Sequence, residues 1–234
     1  MARTLRVGVS GSTGRLGSLA LRLAQEADDL EAVPVDARES LELEGLDVLF
    51  DATVLEASEG IVDAAVAAGV PVVVGTSGWS EARIDALRER GGERVRIVPN
   101  FSLGSTLETH LATIAAAHFE AVEILEAHHA KKVDAPSGTA TRTAEAIGAV
   151  RAFEAPTPDE PGRGTVIAGV PVHAMRLPGV VARQEVVFGG LGETLTIRHD
   201  TTSPESYAAG ILLALRAEPR AGVTVGIGDL LGLA

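Results

Sequence analysis

The chain has 234 residues, of which 46% are hydrophobic and 22% are charged. This is enough for one large or two small globular domains, each able to bury its own core. The charge-free stretches are short and broken by Gly or Pro, and none reaches the roughly 18 apolar residues of a membrane-spanning helix. The first residues run directly into a strand-like segment without a secretory leader pattern, so we expect a cytoplasmic protein with no membrane partner.

The composition also excludes several classes of chemistry. Without cysteine, the chain cannot form disulfides, thiolate metal sites or a cysteine nucleophile. The formal net charge of −12 argues against nucleic acid as a partner, because a phosphate backbone is bound by a basic surface. An anionic small molecule remains a possible ligand if a few cations are placed at its site.

Lysine is confined to one place in the sequence. Eighteen of the twenty basic residues are Arg, and the two Lys residues are the neighbours Lys131 and Lys132. Because an ammonium is a compact charge whose proton affinity responds to its surroundings, this placement indicates chemistry that an arginine cannot supply. The alternative is chance in a composition that favours Arg.

The first hundred residues alternate short β-branched runs with Ala-rich helical segments. This pattern is typical of an α/β fold, in which helices cover a parallel sheet. The link between residues 36 and 47 is short for a crossover helix, which predicts a trimmed connection. The predicted strands are 5–9, 31–36, 47–52, 70–74 and 95–98, and the predicted helices are 15–27, 58–68 and 80–90.

The second half of the chain has a different pattern, typical of an antiparallel or mixed sheet. Helices are predicted at 104–118, after Ser137 and at 204–216, where Ser203 is a suitable cap and Pro204 suits the first helical position. Strands are predicted at 122–127, 166–176 and 184–188. A glycine-rich turn at 189–192 then joins the last of these to a strand at 193–199, as in a hairpin.

A glycine motif lies between the first predicted strand and its helix. It consists of Gly11, Ser12, Thr13, Gly14, Arg15, Leu16 and Gly17. A turn with few side chains lets backbone N–H groups and the helix N-terminus approach a pyrophosphate, and Asp36 follows where a ribose carboxylate is expected. The glycine spacing departs from G-x-G-x-x-G, so a plain tight turn with a solvated carboxylate is the alternative.

The cofactor preference stays open at this point. Asp36 favours NADH because a carboxylate repels a 2′-phosphate, whereas Arg38 could accommodate that phosphate. Two further segments follow predicted strands, at the sheet edge where a nicotinamide and its ribose would lie; each could instead be only a turn. They are Gly75, Thr76, Ser77 and Gly78, and Pro99, Asn100, Phe101 and Ser102.

The second motif is a loop rich in cations, Glu126-Ala127-His128-His129-Ala130-Lys131-Lys132-Val133-Asp134-Ala135-Pro136-Ser137-Gly138-Thr139-Ala140. Two imidazoles and two ammonium groups precede a helix whose first N–H groups, with small residues and hydroxyls around them, suit a carboxylate. The set predicts a small dianionic substrate and a histidine general acid. A metal site is not predicted, because neighbouring strand residues face opposite ways and no third ligand follows.

This loop and the glycine motif, with segments 74–78 and 99–102, closely resemble the 4-hydroxy-tetrahydrodipicolinate reductase family. The resemblance runs from about residue 5 to residue 232 and implies a reductase of the diaminopimelate route to lysine. It implies a Rossmann-type domain, here 1–102 with 203–234, and an inserted α+β domain with an open mixed sheet, here 103–202. It further implies a homotetramer.

The resemblance also assigns roles to residues. His128 is the expected acid/base and Lys132 the expected proton donor. The expected substrate residues are His129, Gly138 and Thr139, to which the motif itself adds Lys131 and Ser137. The expected NADH or NADPH contacts are Gly11, Ser12, Thr13, Gly14, Arg15, Leu16, Asp36, Gly75, Thr76, Ser77, Val98, Pro99, Asn100 and Phe101, with Arg38 added from its position.

Three features depart from the family pattern: the short 36–47 segment, Pro204 in place of an expected arginine, and Lys131 in place of an expected histidine. Two other functions therefore remain as alternatives. One is another nicotinamide-dependent reductase of a small dicarboxylate or aldehyde, which a substrate panel would separate. The other is a non-catalytic dinucleotide sensor, against which the Lys–His loop argues because sensing needs no proton donor.

Overall fold

The computed structural model describes residues 3–36, 41–156 and 160–233. The chain divides into two compact units, and the predicted α/β class with a second, mixed sheet is confirmed. The first unit runs to Ser102 and resumes at Tyr207, and the second is Leu103–Ser206. The later boundary therefore falls between 206 and 207, whereas the sequence predicts it between 202 and 203.

The first unit is built on a parallel sheet in the order β11-β5-β4-β3-β1-β2. Every neighbouring pair of these described strands is parallel. The central strands β3, β4 and β5 are buried at every residue, as expected for a sheet covered on both faces. The strands are β1 Leu5–Ser10, β2 Leu30–Val35, β3 Val48–Asp51, β4 Val72–Val74, β5 Val95–Ile97 and β11 Val223–Val225.

The described residues of this unit form four α-helices: α1 Arg15–Glu26, α2 Leu55–Ala68, α3 Glu81–Glu89 and α6 Ala208–Arg216. Local signals set their ends. The Ser80 hydroxyl caps α3 by accepting the Arg83 N–H, and Gly69 ends α2 in the left-handed conformation. Arg216 of α6 forms a paired hydrogen bond to Asp29, which ties the returning C-terminal segment to this unit.

The structure agrees with the sequence in the link after β2 but differs from it at β11 and at the start of the last helix. Between β2 and β3, described residues 41–47 contain no helix, which agrees with the predicted trimming. The strand β11 was missed, because three residues are too few to give a pattern. The last predicted helix is wrong in its first turn, because Pro204–Tyr207 is a 3-10 turn and the α-helix begins only at Ala208. Ser203 still caps this turn, as its hydroxyl accepts the Glu205 N–H.

The second unit has a mixed sheet in the order β10-β9-β6-β8-β7, covered by two helices. Strands β6 and β8 are parallel, and the other described pairs are antiparallel. A buried cluster including Ile124, Ile147, Val186 and Phe188 joins the helices to the sheet. The elements are α4 Leu103–Ala116, β6 Ala121–His128, α5 Gly138–Val150, β7 Thr165–Ile167, β8 Val170–Arg176, β9 Ala182–Gly190 and β10 Glu193–Thr201.

The predicted strand 166–176 is two strands. Ala168 and Gly169 both have positive φ, 48° and 83°, as a tight hairpin turn requires, so β7 folds back on β8. The residue 169 must be glycine, because a Cβ there would lie 2.3 Å from the Phe153 carbonyl oxygen. The second hairpin turn is shorter than predicted, since β9 continues through Gly190 and only Leu191 and Gly192 turn.

One carboxyl group, that of Glu108, is deeply buried in this unit. Glu108 lies on the face of α4 that packs on the sheet, is 3% exposed, and neither of its oxygens has a hydrogen-bond partner among the described residues. Burial raises the pKa of Glu108 to about 8, an effect that the nearby Gln184 amide opposes and the charges of Asp200 and Glu185 increase. Glu108 is therefore largely protonated at neutral pH.

We expect Glu108→Gln to stabilise the protein at alkaline pH. Unfolding returns the Glu108 carboxyl from a pKa of about 8 to its ordinary 4.5, so the folded state holds the extra proton between these values. Stability therefore falls as pH rises through this window, by about 1.4 kcal/mol per pH unit, and the neutral amide avoids this loss. Urea unfolding at pH 5 and pH 8.5 measures the difference, and Glu145→Gln on the exposed face of α5 is the control. An equal effect of Glu108→Gln at both pH values would contradict the assignment.

Candidate active site

The residues predicted to bind the dinucleotide lie together at the carboxyl edge of the parallel sheet. The glycine turn follows β1, Asp36 follows β2, and the segments beginning at Gly75 and Val98 follow β4 and β5. Backbone hydrogen bonds continue the ladder beyond the strands: Gly75 N to Asp51 O at 2.7 Å and Val98 N to Val74 O at 2.8 Å. Ligands of open parallel sheets bind at this edge.

The glycine turn leaves helix α1 open to an anion. Gly14 is the N-cap residue and makes no side-chain cap hydrogen bond, and the first turn has no acidic residue. The first N–H groups of α1 therefore need an acceptor, which a pyrophosphate would supply. Gly11 has φ 71°, and Gly17 packs so closely that a Cβ would lie 2.2 Å from the Gly11 carbonyl oxygen. These glycines let the helix start directly behind the turn.

Several predicted cofactor residues can act only through their backbone. The side chains of Val98 and Phe101 are buried, and the Phe101 ring packs at a tilt against that of Phe50, with ring centroids 5.5 Å apart. The Thr76 hydroxyl also points inward, donating to Asp51 at 2.9 Å. Asp36 is exposed directly after β2, and the predicted Arg38 lies outside the described residues.

The catalytic and substrate residues predicted from the loop motif lie in the second unit, around one buried carboxylate. Glu126 is 0% exposed, and its Oε2 is 2.7 Å from His128 Nδ1. Its Oε1 accepts the backbone N–H of Ser137 at 3.1 Å. Arg176 completes the group by donating to both oxygens, at 2.8 and 2.9 Å. Glu126 thus connects the end of β6, the end of β8 and the start of α5.

The charges of this group stabilise one another. Burial by itself would raise the pKa of Glu126, but hydrogen bonds and charges from His128 and Arg176 outweigh it, and the net shift is downward. Ionised Glu126 accepts hydrogen bonds only, so His128 carries a proton on Nδ1 and its Nε2 is left for chemistry. The imidazole side chain is 17% exposed. This arrangement orients the imidazole at the surface of the unit, as a general acid or base requires.

Arg176 also holds the loop that carries Lys132. Its Nη2 donates to the Asp134 carbonyl oxygen at 2.6 Å, while the Asp134 carboxylate receives both its hydrogen bonds from Lys132 Nζ, at 2.8 Å each. The bond from Lys132 is the main reason why the pKa of Asp134 is lowered. The ammonium is thus paired with Asp134 at the surface, and His129 and Lys131 are exposed beside it.

The loop ends in the N-terminus of α5. The Ser137 hydroxyl accepts the Ala140 N–H at 3.2 Å and caps the helix, so this predicted substrate residue is also structural. Gly138 and Thr139 lie at the surface of the first turn. A Cβ on Gly138 would meet nothing closer than 3.6 Å, so the first turn is accessible to a ligand.

Glu126 and Arg176 were not assigned roles from the sequence. Glu126 could have been found, because residues 126 and 128 face the same side of a strand and share a neighbourhood. Arg176 could not, because it pairs with His128 only through the parallel register of β6 and β8, which joins residues distant in the sequence.

The described residues offer neither a metal centre nor a membrane-spanning helix. Among the described residues, no group of three or more histidine or acidic side chains is placed to hold a metal ion. No described helix combines the length and the apolarity that crossing a membrane demands.

Comparison with protein families accounts for both halves of the chain. Residues 5–101 match the model described as dihydrodipicolinate reductase, N-terminus, and residues 104–231 match the model described as dihydrodipicolinate reductase, C-terminus. The chain belongs to the dihydrodipicolinate reductase family. The resemblance of the loop and glycine motifs is therefore confirmed, and the chain is a nicotinamide-dependent oxidoreductase of this family.

Individual relatives match over nearly the whole chain. The 4-hydroxy-tetrahydrodipicolinate reductase of Clavibacter michiganensis subsp. michiganensis is 47% identical over 241 residues, covering 98% of this chain and 87% of that protein. The enzyme of that name from Mycolicibacterium vanbaalenii is 43% identical over 248 residues, covering 98% and 100%. The dipicolinate-bound dihydrodipicolinate reductase from Paenisporosarcina sp. TG-14 superposes with a TM-score of 0.82 at 28% identity, covering 97% of this chain and 99% of that one.

We expect Glu126→Gln to lower kcat by about a hundred-fold. The Gln amide has only one accepting oxygen, so it cannot accept from Arg176, Ser137 and His128 together, and His128 loses its orientation. Dinucleotide affinity should be unchanged, since the predicted cofactor residues lie in the other unit. Glu123→Gln is a matched control: Glu123 lies on the same strand and pairs with His173 at 2.8 Å and with Arg163. Steady-state kinetics and dinucleotide titration of both variants test the assignment. Equal losses of kcat in the two variants would contradict it.

Proposed function

We propose that the chain reduces 4-hydroxy-tetrahydrodipicolinate to tetrahydrodipicolinate, with NADH or NADPH as reductant, in the diaminopimelate route to lysine. The observation that carries the proposal is the Glu126 group, which joins an oriented histidine to an accessible helix N-terminus and, through Arg176, to the loop of Lys132. The overall change is gain of a hydride and a proton with loss of water, so the protein must handle protons as well as bind two negative charges.

The dinucleotide would be held by the first unit. The pyrophosphate suits the open start of α1 behind residues 11–16, and the adenosine ribose suits Asp36. The segments Gly75–Ser77 and Val98–Phe101 would contact the nicotinamide end, the latter through the backbone. When bound, the reduced cofactor supplies the hydride. Asp36 supports NADH, and Arg38 would support NADPH, so both cofactors belong in the test.

The loop residues His128 and Lys132 would transfer protons to and from the substrate. His128 is oriented by Glu126 through Nδ1, so its Nε2 holds or releases a proton at the substrate. Lys132 donates a proton from Nζ, and its bond to Asp134 keeps that atom in place until the substrate competes for it. Positive charge from both groups would also stabilise negative charge that develops during reduction.

The substrate carboxylates would be bound by the start of α5 and by the exposed cations next to it. The N–H groups of Gly138 and Thr139 suit one carboxylate, with the helix dipole adding to the attraction. His129 and Lys131 would contact the second carboxylate. Because Pro204 stands where the family pattern has an arginine, Lys131 would carry more of this role than a histidine would.

The protein would act as a homotetramer in the cytoplasm, with a small dicarboxylate and further copies of itself as partners, and with neither nucleic acid nor membrane. Large hydrophobic side chains exposed on the second unit, Met175, Leu177, Val181 and Leu195, support self-association. Light scattering coupled to gel filtration measures the mass, and a monomer would contradict this assignment.

The test of the reaction follows absorbance of the reduced nicotinamide, with substrate made in situ from pyruvate and aspartate semialdehyde by the preceding synthase. Oxidation of NADH or NADPH that requires both the synthase and Lys132 is the expected result, and the ratio of rates settles the preference. Dinucleotide binding without oxidation would instead favour a different substrate or a sensor.

We expect Lys132→Ala to lower kcat by roughly two to four orders of magnitude with nearly unchanged dinucleotide affinity, because the proton donor is lost. Lys132→Arg keeps the charge, but a guanidinium does not release its proton near neutral pH, so kcat should stay low while dipicolinate affinity largely returns. Kinetics and dipicolinate titration separate these effects. A Lys132→Arg enzyme with wild-type kcat would exclude proton donation by this residue.

A further inference from the structure

A second buried carboxylate lies at the edge of the parallel sheet. Asp51, the last residue of β3, is 0% exposed and accepts five hydrogen bonds from the described residues. Its Oδ1 accepts from Ser10 Oγ at 3.0 Å and from the Thr53 hydroxyl and N–H at 2.7 and 3.2 Å. Its Oδ2 accepts from Ser58 Oγ at 2.5 Å and Thr76 Oγ1 at 2.9 Å.

The direction of these bonds fits an ionised carboxylate. Trp79 Nε1 can only donate, and it donates to Ser58 Oγ at 3.0 Å. Ser58 must then direct its own proton to Asp51 Oδ2, and the Thr53 N–H can likewise only donate. Ionised oxygens accept such bonds most strongly. All five donors are uncharged, so the negative charge has no cationic partner among them.

Asp51 lies where the sheet reverses its strand order. Its strand β3 is between β1 and β4, and β1 also pairs with β2 on the other side. In open parallel sheets this crevice is where the dinucleotide binds. The hydrogen bonds of Asp51 reach Ser10, immediately before the glycine turn, and Thr76, in the segment proposed for the nicotinamide end. One carboxylate thus connects two proposed cofactor segments.

We propose that Asp51 is a positioning residue for the dinucleotide site and that its buried charge favours the oxidised cofactor over the reduced one. Oxidised nicotinamide carries a positive charge and reduced nicotinamide is neutral. A fixed negative charge behind the site stabilises only the oxidised form, because surrounding uncharged donors spread the charge without cancelling it. The effect favours hydride donation. This inference rests on the proposed function, since it requires that a dinucleotide binds at this edge.

The test compares the affinities of both redox forms, measured by calorimetry for the cofactor pair that the wild type prefers. In Asp51→Asn, Kd of the oxidised form should rise about ten-fold more than Kd of the reduced form, as expected for loss of one buried unit charge. Ser10→Ala removes a donor but keeps the charge, so both Kd values should rise by equal factors. Asp63→Asn, an exposed aspartate of α2 paired with Arg90, is the control and should change neither.

Equal increases of both Kd values in Asp51→Asn would overturn the role of the charge, and unchanged Kd values would overturn the positioning role as well. A purely structural role moves the melting temperature without changing the ratio of the two Kd values. If Asp51→Asn does not fold, the double variant Asp51→Asn with Ser58→Ala is used instead. It also removes the Ser58 hydroxyl, which must donate to the position of Oδ2, and it tests the same ratio of the two Kd values. A wild type that binds neither redox form would contradict the proposed function itself.

Discussion

The buried Glu126 carboxylate is the interaction on which the candidate active site depends. Its two oxygens accept hydrogen bonds from the His128 imidazole, the Arg176 guanidinium and the backbone N–H of Ser137. Three separate segments of the chain therefore share one negative charge. Removing a buried ionic partner is costly because the remaining charges lose their compensation. The hydrogen bonds of Glu126 that orient His128 therefore belong to the same group that fastens the end of β8 and the start of α5.

Three buried acids in this chain show three different environments. Glu126 is ionised among cationic partners, Asp51 fits the ionised form among neutral donors, and Glu108 is protonated with no hydrogen-bond partner among the described residues. The same functional group thus provides a charge that orients a histidine, a charge at the edge of the parallel sheet, and a neutral group inside a helix–sheet contact. Only the neighbours differ, which is why burial alone does not predict the role of a carboxylate.

The parallel sheet explains why the segments proposed to bind the cofactor lie at one edge although they are far apart in the sequence. Parallel strands end at a common edge, so the loops after β1, β2, β4 and β5 meet there without any direct sequence signal. Asp51 adds hydrogen bonds between segments at that edge, to Ser10 and Thr76. Neither the hydrophobic alternation nor the glycine pattern of the sequence reveals them. Ser10 ends β1 and Thr76 follows β4, the two strands on either side of β3, so their convergence on Asp51 is a property of strand order.

The sequence by itself determined the α/β class, most of the helices and strands, the family, and the loop that holds His128 and Lys132. These features are local: they follow from periodicity, turn residues and a contiguous motif. The tertiary structure decided what is non-local, including strand β11, the pairing of Arg176 with Glu126, and the burial of Asp51 and Glu108. These depend on strand register and on which residues are removed from water, and both are fixed only when distant segments pack together.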